Sequence, residues 1–561
     1  MTARISNRRI RLLVLVFAAL LLLALLRAAW LQAVRSPSLT AQATSQQQVE
    51  RTIPPRRGTI YDTKGRVLAI GEKAVTVYAN PRQIRAPGEV ARVVAADLKL
   101  PEDEVLAKLR DRSKGFVYLG RKLDPDLAGK LAERDIVGIG FQDEERRLYP
   151  QRAVAAEIVG YAGTDNNGLA GIEFGLDGQL AGKPGTETTI QDPAGQTLEV
   201  VSSTPVVNGR DVYLTIDHRI QAYVERVLRE TRAAWGAKAA TAIVLEPQTG
   251  QVLAMASEPG FDANRFSSAS PDATRNRGVT DTYEPGSTFK VLTVGAALEE
   301  RLVKPSTSFV VPDEIQVSDR VIHDAETHPT VDMTVAEILS HSSNVGTIQI
   351  AQRLGEDSLA DWIDRFGFGR ETGVEFPGET RGIVLPRERW SGSTIGNVPI
   401  GQGIATTPIQ MAAMFGAIAN DGVWVQPHLV ERVGARRIAA EGERRRVFSV
   451  KTARTLRAML GNVVSSGTGD RAVVPGYRVA GKTGTASKVD PDGTYSRSRY
   501  VASFIGMAPA RHPRVVILVS VDEPRGAIFG GKVAAPAFSK IAGFALQYLE
   551  VPPDQSAADP G

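Results

Sequence analysis

The chain has 561 residues, 43% of them hydrophobic, and is long enough for two or three folded domains with their own cores. Its formal net charge is +5, but the 67 basic and 62 acidic residues are spread along the whole chain. The absence of a concentrated basic stripe argues against a nucleic-acid-binding protein. There is no cysteine, and the six histidines lack the spacing of metal ligands, so we expect neither a metal nor a cofactor.

An apolar run near the N-terminus predicts a membrane anchor. Residues 12–26 are apolar without interruption, and with residues 28–31 the run is broken only by Arg27. Four arginines precede it, so we predict a cytoplasmic segment at 1–11, a transmembrane helix at 12–34 and an extracytoplasmic remainder. A cleaved signal peptide is the alternative, but its best cleavage motif, at 41–43, lies too far downstream.

The segment after the anchor divides into a stalk and a first domain. Residues 35–56 are polar and rich in small side chains, which predicts a stalk, with order beginning near Arg57. Over 57–211, strand-like runs such as 75–78 alternate with helix-like stretches such as 98–112 and with glycine-rich turns such as 165–171. We predict a mixed α/β pedestal domain without a catalytic cluster.

The pattern from 212 to 549 indicates a second, α+β domain. Strand signals come first, helices fill the middle, strands return, and a helix ends the domain, an order that suits an antiparallel sheet built from both ends. The predicted elements are strands at 212–216, 241–247, 251–257, 500–507 and 515–521, helices at 220–234, 408–419 and 535–549, and a helix-rich region over 290–366. Residues 550–561 are predicted to be a disordered tail.

A serine and a lysine three residues apart begin the chemical argument. Ser287 follows a Glu-Pro-Gly turn and Lys290 follows on the same face of a predicted helix. A buried lysine can act as the base that a serine nucleophile needs, and amide groups of the first helical turn can stabilise an oxyanion. Alone, this spacing is expected about once by chance in such a chain, and a capping serine with a solvated lysine is the alternative.

Two further motifs follow in order. Ser342 and Asn344 form a Ser-x-Asn motif, and Lys482, Thr483 and Gly484 form a Lys-Thr-Gly motif that continues into Thr485. Individually these indicate a helix N-cap and a strand turn. Together, the three motifs resemble those of penicillin-interacting serine enzymes.

The resemblance extends over roughly residues 57–542. Residues 57–62 look like the opening motif of class B penicillin-binding proteins, and 147–150 and 171–173 resemble motifs of their pedestal domain. Similarity to the division-specific, FtsI-type branch is carried by residues 275–277, 284–290, 401–403, 407–408 and 504–506. The family implies a pedestal followed by a transpeptidase domain with a five-stranded antiparallel sheet flanked by helices.

The resemblance also implies a function, namely D,D-transpeptidation of peptidoglycan stem peptides ending in D-Ala-D-Ala, with β-lactams as covalent inhibitors. It assigns Ser287 as the acylated nucleophile, Lys290 as its general base and Ser342 as a proton relay. Substrate binding falls to Asn344, Lys482, Thr483, Gly484 and Thr485. In addition, Asn344 is expected to hold Lys290, Lys482 to support Ser342, and the backbone N–H groups of Ser287 and Thr485 to form the oxyanion hole.

Partners and location follow from the family as well. Similar proteins work in the cytoplasmic membrane with a glycosyltransferase of the SEDS type and with other division membrane proteins. We therefore expect a single-pass protein in septal cell-wall synthesis, with its catalytic domain outside.

Three other classes of protein could carry the same motifs, but each would need a further sequence feature. A class A β-lactamase needs a carboxylate in a Glu-x-x-x-Asn segment, and Glu379 lies at a suitable distance but lacks the asparagine. A β-lactam sensor or division scaffold needs an output domain, and a bifunctional class A synthase needs a glycosyltransferase domain before the pedestal. His341 is expected to face the surface or packing, residues 488–499 to form a loop between strands, and 401–403 to support the core.

Overall fold

The computed structural model describes residues 2–35, 48–191, 197–438 and 442–555. These residues divide into two compact units. The first lies within 1–56 and 182–209, and the second within 57–181 and 210–561.

The first unit contains an apolar helix and a small sheet. Helix α1 spans Thr2–Trp30 and continues into a π-helical turn, Leu31–Arg35. The stretch Asn7–Arg35 is long and apolar enough to cross a membrane, in agreement with the predicted anchor. The sheet is antiparallel in the order β1-β6-β7, made of β1 (Gln48–Ile53), β6 (Gly185–Gln191) and β7 (Thr197–Thr204).

This sheet changes one expectation. Residues 48–53, which were predicted to belong to the stalk, instead form β1 and pair with β6, with Gln48 opposite Ile190 and Ile53 opposite Gly185. The remaining stalk residues, 36–47, lie outside the described residues.

A seven-stranded sheet runs through the second unit. Its strands are β2 (Ile60–Tyr61), β3 (Val67–Ala79), β4 (Val117–Leu123), β5 (Ile139–Leu148), β8 (Val212–Leu214), β16 (Val430–Val433) and β17 (Arg436–Arg437). The order is β17-β16-β8-β2-β3-β4, and β5 also pairs with β3. Strand β8, which begins at the predicted boundary between the two domains, therefore pairs with β2 on one side and β16 on the other.

Short helices complete the pedestal part of this unit. They are α2 (Pro87–Leu98), α3 (Glu102–Arg110), α4 (Pro125–Ala132), α5 (Ala156–Val159), α6 (Gly171–Gly175) and α7 (Asp177–Leu180). The helix expected from 98 is wrong at its start, because Leu98 ends α2, Lys99 is left-handed (φ +54°) and Pro101 precedes α3.

Buried ion pairs hold the pedestal motifs together. Arg57 Nε lies 2.6 Å from Glu173, and its Nη1 lies 2.7 Å from Asp177. Arg147 Nε lies 2.6 Å from the other oxygen of Glu173. Because both arginine side chains and Glu173 are almost completely buried, each charge needs its partner, which explains why these residue types occur in three separate motifs.

The predicted five-stranded antiparallel sheet is confirmed. Its order is β10-β9-β21-β20-β19, formed by β9 (Ala239–Leu245), β10 (Val252–Glu258), β19 (Ala480–Val489), β20 (Tyr495–Ala508) and β21 (Val515–Asp522). Every residue of β9 and β10 is buried, as expected for strands covered on both faces. Strand β19 is an edge strand, and its position determines where the site lies.

Helices cover both faces of this sheet. Ala242 and Val244 share a core with α8 (His218–Ala234) and α18 (Ala535–Tyr548), whereas Ile243 and Leu245 share another with α15 (Pro408–Ala419). All twelve residues of α15 are buried, which makes it a core helix. The remaining helices are α9 (Arg277–Thr280), α10 (Lys290–Glu299), α11 (Val335–Ser340), α12 (Asn344–Leu354), α13 (Glu356–Arg365), α14 (Thr394–Asn397), α16 (Val450–Ser465) and α17 (Gly530–Val533).

The middle region is helical, as predicted, but it also contains short strands. These are β11 (Ser308–Val311), β12 (Glu314–Val317), β13 (Arg320–His323), β14 (Val331–Thr334), β15 (Val423–Val425) and β18 (Arg444–Arg446). They form two-stranded ladders, β11 with β14, β12 with β13 and β15 with β18, and each strand is too short for a sequence period to be recognised.

The C-terminal segment is partly packed. Asp554 accepts a hydrogen bond from the Arg478 amide (2.8 Å), and its own amide donates to the Gly476 carbonyl (3.1 Å). The rest of the predicted tail, residues 556–561, lies outside the described residues.

Candidate active site

Ser287 lies in a 3₁₀ turn, Gly286–Thr288, directly before α10. Thr288 Oγ1 donates to the Pro285 carbonyl (2.7 Å), and the Gly286 amide donates to the Gly401 carbonyl (3.0 Å). Gly286 has φ +53°, a conformation that favours glycine, and a β-carbon there would lie only 2.8 Å from the Thr485 carbonyl oxygen. The turn thus presses against β19 and leaves Ser287 partly exposed.

Lys290 is the first residue of α10 and is fully buried. Its Nζ donates to the Ser342 carbonyl (2.5 Å) and to Asn344 Oδ1 (2.7 Å), and it lies 3.4 Å from Ser342 Oγ. Burial lowers the pKa of Lys290 to about 7, against the opposing effect of the Asp324 charge. Near neutral pH a large share of this amine is therefore unprotonated and able to accept a proton.

The backbone of Ser342 is strained. Helix α11 ends at Ser340, and the Ser343 amide donates back to the Ile338 carbonyl (3.0 Å), which is a Schellman arrangement. Ser342 occupies the left-handed position of that motif at φ +61°, where glycine is usual. This conformation places both the carbonyl and the hydroxyl of Ser342 beside Lys290.

Asn344 is oriented by its two hydrogen bonds. Its Nδ2 donates to the His323 carbonyl (2.8 Å), so Oδ1 is the atom that faces Lys290. The side chains of Asn344 and Lys290, which come from two different motifs, are therefore in direct contact.

The third motif lies on β19, where Lys482 is fully buried. Burial, and then the charge of Lys290, hold the pKa of Lys482 well below its usual range. Within the described parts of the chain, neither lysine forms an ion pair with a carboxylate. Lys482 Nζ lies 3.3 Å from the Thr483 carbonyl and 3.4 Å from its hydroxyl.

The other residues of this motif line the edge of β19. Thr483 Oγ1 lies 2.9 Å from Thr468 Oγ1, and Thr485 Oγ1 accepts from the Gly530 amide (3.3 Å). A β-carbon on Gly484 would lie 2.3 Å from Ser503 Oγ and 3.1 Å from the Pro285 carbonyl. Glycine is therefore what allows the turn that carries Ser287 to approach the strand.

The site thus combines a serine beside a strand edge with two buried lysines and a polar Ser-x-Asn turn. Models of two families match the chain: "Penicillin binding protein transpeptidase domain" over residues 240–543 and "Penicillin-binding Protein dimerisation domain" over 52–214. The chain belongs to the penicillin-binding protein transpeptidase family.

Individual relatives support this membership over nearly the whole chain. The penicillin-binding protein PbpB of Mycolicibacterium smegmatis is 35% identical, with 98% of this chain and 91% of that protein covered. The peptidoglycan D,D-transpeptidase FtsI of Escherichia coli K12 is 33% identical, with 94% and 90% covered. The crystal structure of penicillin-binding protein 3 from Mycobacterium tuberculosis, complexed with aztreonam, is 33% identical with a TM-score of 0.70, covering 90% of this chain and 98% of that one.

In this penicillin-binding protein, Glu379 is engaged in a turn. Its carboxylate accepts from the amide (2.7 Å) and hydroxyl (2.6 Å) of Thr372 and from the Gly373 amide (3.1 Å). Glu379, the carboxylate that the β-lactamase reading would use, thus holds residues 372–373.

A cavity of about 510 Å³ adjoins the site, beyond the end of the motif on β19. Glu284, which precedes the serine turn, lines it and accepts hydrogen bonds from the Gly403 amide (2.9 Å) and the Tyr495 hydroxyl (3.1 Å). The loop expected over 488–499 is shorter than predicted, because β19 continues to Val489 and β20 begins at Tyr495. Only residues 490–494 form the turn, in which the Asp490 amide donates to the Thr494 carbonyl (2.8 Å). Lys488 lines the cavity but is paired with Asp522 (2.8 Å).

Sequence reasoning missed the loop that follows β13. Asp324 and His328 lie there, against the Ser-x-Asn turn. No motif marks them, because they come from a polar loop between strands too short to be predicted, and the fold alone brings them to the site.

Proposed function

We propose that this penicillin-binding protein is a serine-type peptidoglycan D,D-transpeptidase that cross-links stem peptides through an acyl-enzyme on Ser287. The observation that carries the proposal is the environment of Lys290, a fully buried amine with a pKa of about 7 that begins the helix directly after the Ser287 turn. Membership of the transpeptidase family and the relatives named D,D-transpeptidases support the reaction class.

In the first step, neutral Lys290 takes the proton of Ser287 Oγ as that oxygen attacks the carbonyl carbon between the two D-alanines. The backbone N–H groups of Ser287 and Thr485 stabilise the resulting oxyanion. The C–N bond then breaks, and the departing D-alanine amine receives a proton from Lys290 through the Ser342 hydroxyl, which lies 3.4 Å from Nζ.

In the second step, an amine of a neighbouring stem peptide attacks the ester carbonyl. Its surplus proton passes to Lys290, the C–O bond breaks, and Ser287 recovers its hydroxyl proton from the same lysine. The products are a new amide cross-link and free enzyme. A β-lactam acylates Ser287 in the same way, but its opened ring stays attached, so no leaving group departs.

Binding of the donor peptide falls to the Ser-x-Asn turn and to β19. Asn344 binds the peptide amide, and Gly484 allows the strand edge to lie against the substrate. Thr483 and Thr485 hydrogen-bond the terminal carboxylate, and Lys482 supplies the positive potential for it. A carboxylate beside the two lysines would favour the protonated form of Lys482, against the effect of burial, because its negative charge compensates theirs.

Location and partners complete the proposal. The helix over Asn7–Arg35 anchors the chain as a single-pass membrane protein, with residues 1–11 in the cytoplasm and the catalytic domain outside. The pedestal domain is assigned to 57–211 and the transpeptidase domain to 212–549. The likeness to FtsI supports septal synthesis, with a glycosyltransferase of the SEDS type and other division membrane proteins as partners.

The test is intact-mass labelling of the full chain in detergent with a fluorescent penicillin. Wild type should carry one adduct, mapped to the Ser287 peptide and stable for hours. Ser287→Ala should carry none, and Ser268→Ala, an exposed serine away from the site, should label like wild type. Rapid loss of the label would support a β-lactamase instead, and an adduct on the Ser287→Ala variant would refute the assignment of the nucleophile.

A further inference from the structure

Asp324 gathers hydrogen bonds from the whole Ser-x-Asn turn. Its Oδ1 accepts from the backbone amides of Asn344 and Val345 (3.0 Å for the latter), which open helix α12. Its Oδ2 accepts from the hydroxyl of Ser343 (2.7 Å), the N-cap of the same helix. The side chain of Asp324 is only 6% exposed, so this carboxylate is held inside the protein by the turn that carries Ser342 and Asn344.

His328 supplies a further contact to the same carboxylate. Its Nε2 lies 3.0 Å from Asp324 Oδ2, and its Nδ1 lies 2.7 Å from the Pro329 carbonyl. Both ring nitrogens face hydrogen-bond acceptors, so both contacts are made only when both nitrogens carry protons. These two contacts raise the pKa of His328, the carbonyl first and the carboxylate second.

Asp324 reaches Lys290 through a single residue. The backbone amide of Asn344 donates to the Asp324 carboxylate, and the side-chain Oδ1 of Asn344 accepts a hydrogen bond from Lys290 Nζ (2.7 Å). The His323 carbonyl, one residue before Asp324, accepts from Nδ2 of the same asparagine. The loop thus holds Asn344 at its backbone and at its side chain, and the negative charge of Asp324 favours the protonated form of Lys290.

We propose that Asp324 is a positioning residue for transpeptidation, which fixes the Ser-x-Asn turn against Lys290 and sets the pH range over which that lysine works as a base, with His328 tempering its charge. The proposal rests on the proposed function of Lys290. The charged groups near this carboxylate are Lys290 from α10, His328 from its own loop and Asp313 from the turn between β11 and β12. The His323–Glu314 pair lies on the adjacent β12–β13 hairpin.

Substitutions of Asp324 and His328 are expected to shift the pKa of Lys290 in opposite directions. Asp324→Asn keeps an oxygen for the amides of α12 but removes the negative charge, so less of Lys290 stays protonated and the acid limb of acylation moves to lower pH. Because only Asn344 separates Asp324 from Lys290, removal of this charge is expected to shift the pH of half-maximal acylation by about one unit. His328→Gln removes the positive charge that partly compensates Asp324, so the acid limb moves to higher pH, by a smaller amount. A purely structural role predicts no such opposition.

The experiment measures the rate of acylation by a fluorescent penicillin from pH 5.5 to 9 in the full chain in detergent. Asp324→Asn should shift the limb downward, His328→Gln should shift it upward, and Asp324→Ala, which loses every contact, should lower the plateau at least tenfold. Asp332→Asn, an exposed acid on β14, should match wild type. Melting curves report folding, and if the Asp324 variants do not fold, the direction of the His328→Gln shift decides.

The proposal would be overturned if the rate of acylation fell at the same pH in wild type, Asp324→Asn and His328→Gln. A wild-type chain that is not acylated at Ser287 would instead overturn the proposed function, so the two failures are distinguishable.

Discussion

The pKa of Lys290 leads to a quantitative prediction for the pH dependence of acylation. A pKa of about 7 lies 3.5 units below the ordinary 10.5, which corresponds to about 5 kcal/mol in favour of the neutral amine. At pH 8 about 90% of Lys290 is then neutral, against about 0.3% of an ordinary lysine, by the same relation. Burial therefore raises the concentration of active base by about 300-fold at that pH.

The rate of acylation by benzylpenicillin should accordingly be flat above pH 8 and fall to half near pH 7. Below that it should fall about tenfold per pH unit, so that the rate at pH 5.5 is about 30-fold below the plateau. Lys290→Met, which has a similar length but cannot accept a proton, should react at least about 100-fold more slowly than wild type on the plateau and should lack the limb. Stopped-flow fluorescence with a labelled penicillin, combined with melting curves, measures both effects.

A histidine could produce a similar limb, because its ordinary pKa is about 6.5. His341→Gln is the matched control, since His341 adjoins the Ser-x-Asn motif but is exposed at the end of α11. The limb should survive in this variant. A rate that does not change between pH 5.5 and 9, or a limb above pH 9, would refute the reasoning from burial.

Three further predictions concern strain, close approach and buried acids. Ser342→Gly should stabilise the protein by about 1 kcal/mol, because glycine adopts the left-handed backbone at φ +61° without strain, whereas Ser342→Ala should not. Both variants should be acylated slowly. Equal melting temperatures of the two variants would contradict the role of backbone strain. Gly484→Ala should slow acylation at least about tenfold, because its β-carbon would displace the Ser287 turn, while Gly461→Ala, which meets no atom within 4 Å, should not. Burial raises the pKa of Glu157 to about 8, so the folded state holds this proton more tightly than the unfolded state and stability falls as pH rises from about 4.5 to 8. Glu157→Gln, which retains an acceptor for the Ser257 amide, should therefore raise the unfolding free energy by about 4 kcal/mol at pH 8 and by much less at pH 4.5. An equal gain at both pH values would contradict the assignment.

Much of the fold could be anticipated where elements are long and their pattern is strong. The hairpin of β9 and β10, the strands β20 and β21 and the final helix α18 appear close to their predicted positions, because continuous apolar runs and a 3.6-residue period mark them. The short ladders over Ser308–Thr334 were not anticipated, because four-residue strands carry too few side chains to show a period. Helix α16, which also packs beside β19, was likewise not predicted.

The sequence by itself determined which residue types carry the chemistry, since three short motifs in a fixed order specify a serine, its lysine and a strand that bears a second lysine. Only the tertiary structure decided how those residues interact. It buries Lys290 and Lys482 together, turns the Ser342 backbone into a left-handed conformation, and brings Asp324 from an unmarked loop onto the Asn344 amide. Burial and electrostatic coupling depend on neighbours that are distant in the chain, and for this reason local sequence patterns do not contain them.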